Sequence, residues 1–382
     1  MSEVYLIDAL RTPIGSGKQP TGALYPLAPV DLAALVLRKL VERVRVDPAL
    51  VEDVILGCVT PIGDQGANIA RLAVLQAGFP VGVPAVQLNR MCGSGQQAIH
   101  FAAQAILAGD MDVVIAGGVE MMSHQPLGSD YPPEWPAGFP YALVHQGISA
   151  EMMAEKWGLS REALDDYAYQ SHLRASAALQ DGRLRGQIAP VQISDGNGKT
   201  RLVEHDQGVR LAPDRQKMAA LAPAFKEGGV ITAGNSSQVS DGAAAVLLAS
   251  EKATRLHNLT PLARLAGRAV VGSDPVLMLD GPIPATREVL RRAGLRLQDV
   301  DVVEINEAFA SVILAWRCET DADLAKTNPN GGAIAHGHPL GATGAILMTK
   351  LVHELRRTGG RYGLQTMCIG HGMATATVVE RM

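Results

Sequence analysis

Short apolar runs alternate with helical patterns along most of the chain, the signature of an α/β protein. Val4 to Ile7 reads as a strand, Asp31 to Val44 as a helix, and Val54-Ile55-Leu56-Gly57-Cys58 as a buried strand. A short extended stretch, Val83 to Leu88, precedes an Ala-rich helical pattern that begins near Gln96 and ends near Gly109, followed by the apolar strand Val113 to Gly118. The last third repeats this order. Ala285 to Ala293 leads through Leu297 to Asp301 into the strand Val302 to Asn306, and His338-Pro339-Leu340-Gly341 opens a helix ending near Gly359, before the strand Tyr362 to Ile369. Such a repeat predicts a duplicated α/β unit whose halves pack about a pseudo-twofold axis.

Residues 119–239 break the pattern. They hold a Pro-rich loop (Gln125 to Pro140), an amphipathic helix (Arg161 to Leu179) capped by Ser160, and charged irregular segments from Asp195 to Gln216. The expected organisation is therefore an N-terminal half from 1–118 with 240–260, a loop domain covering the site from 119–239, and a C-terminal half from 261–382.

The chain has 382 residues, more than one core usually spans. A formal net charge of −4, with 47% hydrophobic and 19% charged residues, argues against a nucleic-acid partner. No apolar run approaches the ~18 residues of a membrane span, and the start lacks the pattern of a signal peptide. Four dispersed cysteines, Cys58, Cys92, Cys318 and Cys368, show neither metal spacing nor a disulfide framework. A cytoplasmic, soluble protein with reduced thiols is expected.

Cys92 lies in Asn89-Arg90-Met91-Cys92-Gly93-Ser94-Gly95, where a strand turns into a helix. Unpaired N–H groups and the positive end of the macrodipole favour a thiolate there, as a nucleophile needs. A single cysteine is most often core filling, so partners decide the matter. Two stretches supply them, Gly331 to Gly341 with His336 and His338, and Cys368-Ile369-Gly370-His371-Gly372-Met373-Ala374. Cys92 and His338 would occupy equivalent turns of the two halves, so that neither half is active alone.

Three other patterns carry less. Gly93 to Ala98 matches G-x-G-x-x-A, but the preceding strand is short and ends in polar residues, against a dinucleotide fold. Gly15-Ser16-Gly17-Lys18 lacks the first glycine and the Ser or Thr of a phosphate loop. His336, His338 and His371 lack carboxylate or cysteine partners at ligand spacing, so no metal is expected.

Seven stretches in order together resemble the thiolases, enzymes that cleave or form the carbon–carbon bond of 3-ketoacyl-CoA thioesters. They are Arg11 to Gly15, the Cys92 turn, Gly147 to Glu151, Gly234 to Ser237 with Asp241 to Ala245, Asn306 to Ala310, Gly337-His338-Pro339 and Cys368-Ile369-Gly370. The resemblance implies a duplicated α/β core in αβαβα layers, two mixed sheets sandwiching helices, with an inserted loop domain. It implies Cys92 as nucleophile, His338 as its base, Cys368 as a second acid/base, and two oxyanion sites. One would be His338 with a water held by Asn306, the other the N–H groups of Cys92 and Gly370. For CoA, a substrate rather than a tightly bound cofactor, it points to Ser237, Phe225, Phe309, His145 and Arg210. Acyl-CoA and CoA would be the partners, in a homodimer or homotetramer.

The chain departs from the family pattern at several points. Gly93 stands where Ser or Ala is more familiar, His371 and Ala374 replace glycines, and Gln146 replaces a methionine. The 125–141 segment is shorter than in biosynthetic thiolases, which favours a degradative enzyme for longer or branched acyl groups over an acetoacetyl-CoA enzyme and leaves a tetramer in doubt. Retention of Cys92, His338, Asn306 and Cys368 argues against a non-catalytic carrier, and Cys368 against a ketoacyl synthase.

Overall fold

A computed structural model describes residues 3–194 and 200–382. The first half comprises β1 (Val4–Arg11), β2 (Gly15–Ser16), α1 (Pro29–Val44), β3 (Asp53–Gly57), α2 (Ile69–Gln76), β4 (Ala85–Leu88), α3 (Ser94–Ala108) and β5 (Val113–Met121). There follow α4 (Gln146–Lys156), α5 (Arg161–Gln180), the hairpin β6 (Val191–Ser194) and β7 (Thr200–Val203), and α6 (Arg215–Ala219). The chain returns through β8 (Ser240–Ser250) and α7 (Glu251–Leu256). The second half is β9 (Ala263–Gly272), α8 (Pro282–Ala293), β10 (Val302–Ile305), α9 (Ala310–Thr320), α10 (Ala333–His336), α11 (Leu340–Thr358), β11 (Tyr362–Ile369) and β12 (Met373–Arg381).

The duplication is explicit in the strand pairing. In the first half β3 is parallel to β5, and β5–β8 and β8–β1 are antiparallel. In the second, β10 is parallel to β11, and β11–β12 and β12–β9 are antiparallel. The order β4-β3-β5-β8-β1-β9-β12-β11-β10 is thus nearly palindromic about the β1–β9 seam. There, among the described residues, the two sheets are continuous through Tyr5–Arg264 and Leu6–Ala263.

Three cores separate the layers. One lies under α1 and α2, one joins α8 and α9 to α4 and α5, and the central one surrounds α3 and α11. β5 and β8 are buried throughout because helices cover both faces, which is why their residues are small and apolar rather than alternating. At the centre α3 and α11 nearly touch. A Cβ on Gly344 would fall 2.1 Å from the Gln96 nitrogen, and one on Gly95 2.8 Å from the Gly341 carbonyl oxygen. Glycine there brings the two helix N-termini together across the pseudo-twofold axis.

Two readings from sequence shift. The 195–216 segment is less irregular than expected, since it contains β7 and the first turn of α6; residues 195–199 lie outside the described ones. β5 runs to Met121 and so takes up the first three residues of the stretch expected as the loop domain.

Candidate active site

Cys92 sits one residue before Gly93, the N-cap of α3, on a turn whose preceding Met91 has φ 45°. The turn is pinned by its own polar groups: Asn89 Oδ1 accepts from the Met91 N–H (2.7 Å), Ser94 Oγ accepts from the Arg90 N–H (2.9 Å), and the Ser94 hydroxyl donates to the Met91 carbonyl (2.6 Å). Gly93 has a local reason, because a Cβ there would lie 2.2 Å from Ile369 Cδ1. Ala374 is accommodated in the same way by Gly281, whose Cβ would fall 2.8 Å from that of Ala374.

The Gly370 N–H, the N–H of Cys92 itself and the Gln146 amide all favour the Cys92 thiolate, yet burial outweighs them and pushes the thiol up to about 11. The thiolate expected from a helix N-terminus is therefore not the resting state. Cys368 is the penultimate residue of β11, two before Gly370; its thiol is pushed further up by burial and then by the charge of Cys92. The two thiols are thus electrostatic neighbours.

His338 precedes α11 as Cys92 precedes α3. The Gly337 φ of 118° turns the chain, and the His338 N–H is held by the Gln238 carbonyl (3.1 Å) and Ser240 Oγ (3.2 Å). The Thr343 hydroxyl donates to the Pro339 carbonyl (2.8 Å), so its oxygen accepts from His338 Nδ1–H (2.6 Å). That leaves Nε2 with a lone pair, 3.3 Å from Asn306 Nδ2. Burial lowers the His338 pKa to about 4, consistent with a neutral imidazole. Asn306 Oδ1 is buried without a hydrogen-bond partner among the described residues.

Glu120, buried at the end of β5, ties the two halves. It accepts from the N–H groups of Val59 (2.8 Å), Thr60 (3.1 Å) and Gly341 (2.9 Å) and from the Gln65 amide (3.1 Å). Sequence reasoning missed Glu120, Thr343 and the role of Gln146. The available signals were a carboxylate closing a wholly apolar strand and a hydroxyl one helical turn beyond His338.

The residues expected near CoA fall into two groups. His145 stacks on Phe225 (5.2 Å between centroids), which meets Phe309 edge-on (5.9 Å). Gly147 makes room, since a Cβ there would lie 2.1 Å from the Phe225 ring. The Ser237 N–H donates to the Ala308 carbonyl (2.9 Å), placing Ser237 beside Phe309. Arg210 stands apart, exposed at a cavity of about 310 Å³ that it shares with His172, Lys217, Gly234 and Gln238. A second cavity, of about 320 Å³, opens at Gly370 and is lined by Tyr131, Trp135, His145, Gln146, Met278 and His371. His336 turns away from the thiols to Asp206 (2.8 Å), which also holds Arg11 in a buried pair at 2.7 Å. Among the described residues no helix is long and apolar enough to cross a membrane, and no cluster of His, Cys, Asp and Glu is placed to hold a metal ion.

Comparison with known proteins agrees with this architecture. Residues 4–252 match the N-terminal domain of thiolases and residues 259–381 the C-terminal domain. The whole chain is 49% identical to a steroid 3-ketoacyl-CoA thiolase of Mycobacterium tuberculosis, covering 95% of that protein. It is 42% identical to a 3-ketoacyl-CoA thiolase of Vibrio vulnificus and 43% identical to a 3-oxoadipyl-CoA/3-oxo-5,6-dehydrosuberyl-CoA thiolase of Escherichia coli, in both cases over the full length of each. With both domains matched from end to end, the chain belongs to the thiolase family and is an acyltransferase enzyme of that family.

Proposed function

We propose that this thiolase cleaves 3-ketoacyl-CoA esters larger than acetoacetyl-CoA by way of an acyl group on Cys92. The observation that carries the reading is the convergence on one buried point of Cys92, the Gly370 N–H and Cys368, with an imidazole whose Nε2 is unprotonated at the facing helix N-terminus.

His338 Nε2 takes the Cys92 proton as the sulfur attacks the 3-keto carbon. The N–H groups of Cys92 and Gly370, already directed at the sulfur, are placed for an oxyanion one bond further on. The C2–C3 bond breaks, the acyl group stays on Cys92, and Cys368 gives its proton to the acetyl-CoA carbanion. A CoA thiol then returns a proton to Cys368 and attacks the acyl-cysteine, and Cys92 recovers its proton from His338. Asn306 Oδ1 can hold a water beside Nε2 as a second oxyanion donor. CoA would lie along Phe225, Phe309, His145 and Ser237, with Arg210 toward its phosphate end.

The cavity at Gly370 supports an acyl group longer than acetyl, and the relatives named for 3-ketoacyl, steroid and 3-oxoadipyl substrates point the same way. Two copies would pair along the free edge of β4, where Val86, Leu72 and Phe101 are exposed. CoA-dependent cleavage of a ladder of 3-ketoacyl-CoA esters tests the reading. Preference for chains beyond four carbons supports it, preference for acetoacetyl-CoA makes the enzyme biosynthetic in type, and no cleavage at all refutes it.

A further inference from the structure

The cavity at Gly370 has an unusual wall. Most of it is apolar or aromatic: Leu127, Tyr131, Trp135, Leu143, Val144 and Met278. His145, Gln146 and His371 interrupt this surface, and of these only His371 has been given no part in the CoA channel or the nucleophile's surroundings. Its ring lies 6.0 Å from that of Tyr131 and edge-on to Trp135 at 5.7 Å, and its Nδ1 is buried with no hydrogen-bond partner among the described residues. Its backbone has φ 62°, a conformation that glycine adopts at less cost. A ring held at a positive-φ position on the wall of a cavity beside the nucleophile marks a site of use rather than of packing.

We propose that His371 is a specificity-determining residue that hydrogen-bonds an uncharged oxygen, a ketone or hydroxyl, carried by a bulky acyl group in this cavity. The inference rests on the thiolase reading above and deepens it by naming the substrate class. Cavity size sets the first condition, since about 320 Å³ reaches the lower end of sites that enclose whole small molecules. Charge sets the second. Among the described residues no Lys or Arg lines the cavity, so an acyl carboxylate would find no cation there. Burial lowers the His371 pKa, consistent with a neutral ring that has one donor and one acceptor nitrogen.

The test compares kcat/KM for three 3-ketoacyl-CoA esters of equal chain length: an unsubstituted one, one bearing a ketone toward its distal end, and one ending in a carboxylate. Wild-type enzyme should favour the ketone-bearing ester over the plain one by about ten-fold, the worth of one hydrogen bond to an otherwise unsatisfied group. His371→Phe, which keeps an aromatic ring but no nitrogen, should bring that ratio close to one. His371→Asn, which tolerates positive φ and retains a donor and an acceptor, should keep part of it, and His371→Gly serves where the larger ring disturbs folding. A ratio unchanged in the Phe and Gly variants, or a wild-type preference for the plain or the carboxylate ester, overturns the proposal while leaving the thiolase reading intact. Failure of the wild-type enzyme to cleave any ester, acetoacetyl-CoA included, overturns both.

Discussion

Replacing Gln146 by leucine removes one of the three donors that favour the Cys92 thiolate while nearly conserving side-chain volume. The thiol lies at about 11 and His338 at about 4, so charging the two groups independently would cost on the order of 10 kcal/mol before their mutual attraction is counted. Cys92 therefore rests as a thiol, and at pH 7 only about one molecule in 10⁴ carries the thiolate. A hydrogen bond to a charged group is worth about 1.5–3 kcal/mol, so Gln146→Leu should reduce that fraction by roughly ten- to a hundred-fold. The assay is the rate of iodoacetamide alkylation of Cys92 between pH 6 and pH 9, read by peptide mass spectrometry, with exposed Cys318 as an internal control for labelling. Wild-type labelling should climb about ten-fold per pH unit without a plateau, and the variant should run parallel to it but lower. A rate that is flat across this range would show a preformed ion pair, and an unchanged rate in the variant would show that the amide does not act on the sulfur; either result refutes the reasoning.

Three further outcomes are expected. Gly93→Ala should lower the unfolding free energy by about 1–3 kcal/mol through overpacking against Ile369, read in denaturant melts, and Ile369→Val should restore much of the loss; additive losses in the double variant would contradict this. Thr343→Val should leave His338 Nδ1–H buried without an acceptor and lower kcat by roughly ten-fold, with KM changing little; equal changes in both would place Thr343 in substrate binding instead. Asp206 is held well below the usual carboxylate range mainly by Arg11, against the opposing effect of burial, so its contribution is present above the unfolded pKa near 4 and is lost as pH falls below it. Asp206→Asn should cost about 3–5 kcal/mol at pH 7 by leaving Arg11 unpaired, and should flatten the acid limb of the stability curve; a variant as stable as wild type at pH 7 would argue against the pair.

The duplicated α/β core was legible because periodicity reports burial, and the order of elements in the two halves survives in the residues themselves. Cys92, His338 and Cys368 were legible because each stands at an element end among glycines whose freedom a turn or close approach uses, Gly337 at φ 118° being the clearest case. The protonation of the site was not. A helix N-terminus predicts a thiolate from local dipoles alone, whereas the desolvation that overrides it comes from tertiary packing around Cys92, including Val59, Met122, Leu340 and Met367. Glu120 and Gln146 were hidden for the same reason, since their partners lie on other elements. Thr343, five residues from His338, has a local partner, and its role follows only once the helix places the hydroxyl under the ring.

The most direct test of the account is to mix the enzyme with a 3-ketoacyl-CoA ester in the absence of free CoA, quench in acid and map the peptides by mass spectrometry. An acyl mass on the Cys92 peptide that disappears on adding CoA, and is absent from Cys92→Ser, is the predicted result. Acylation of Cys58, Cys318 or Cys368 instead, or ester consumption with no acylated peptide at all, would contradict it.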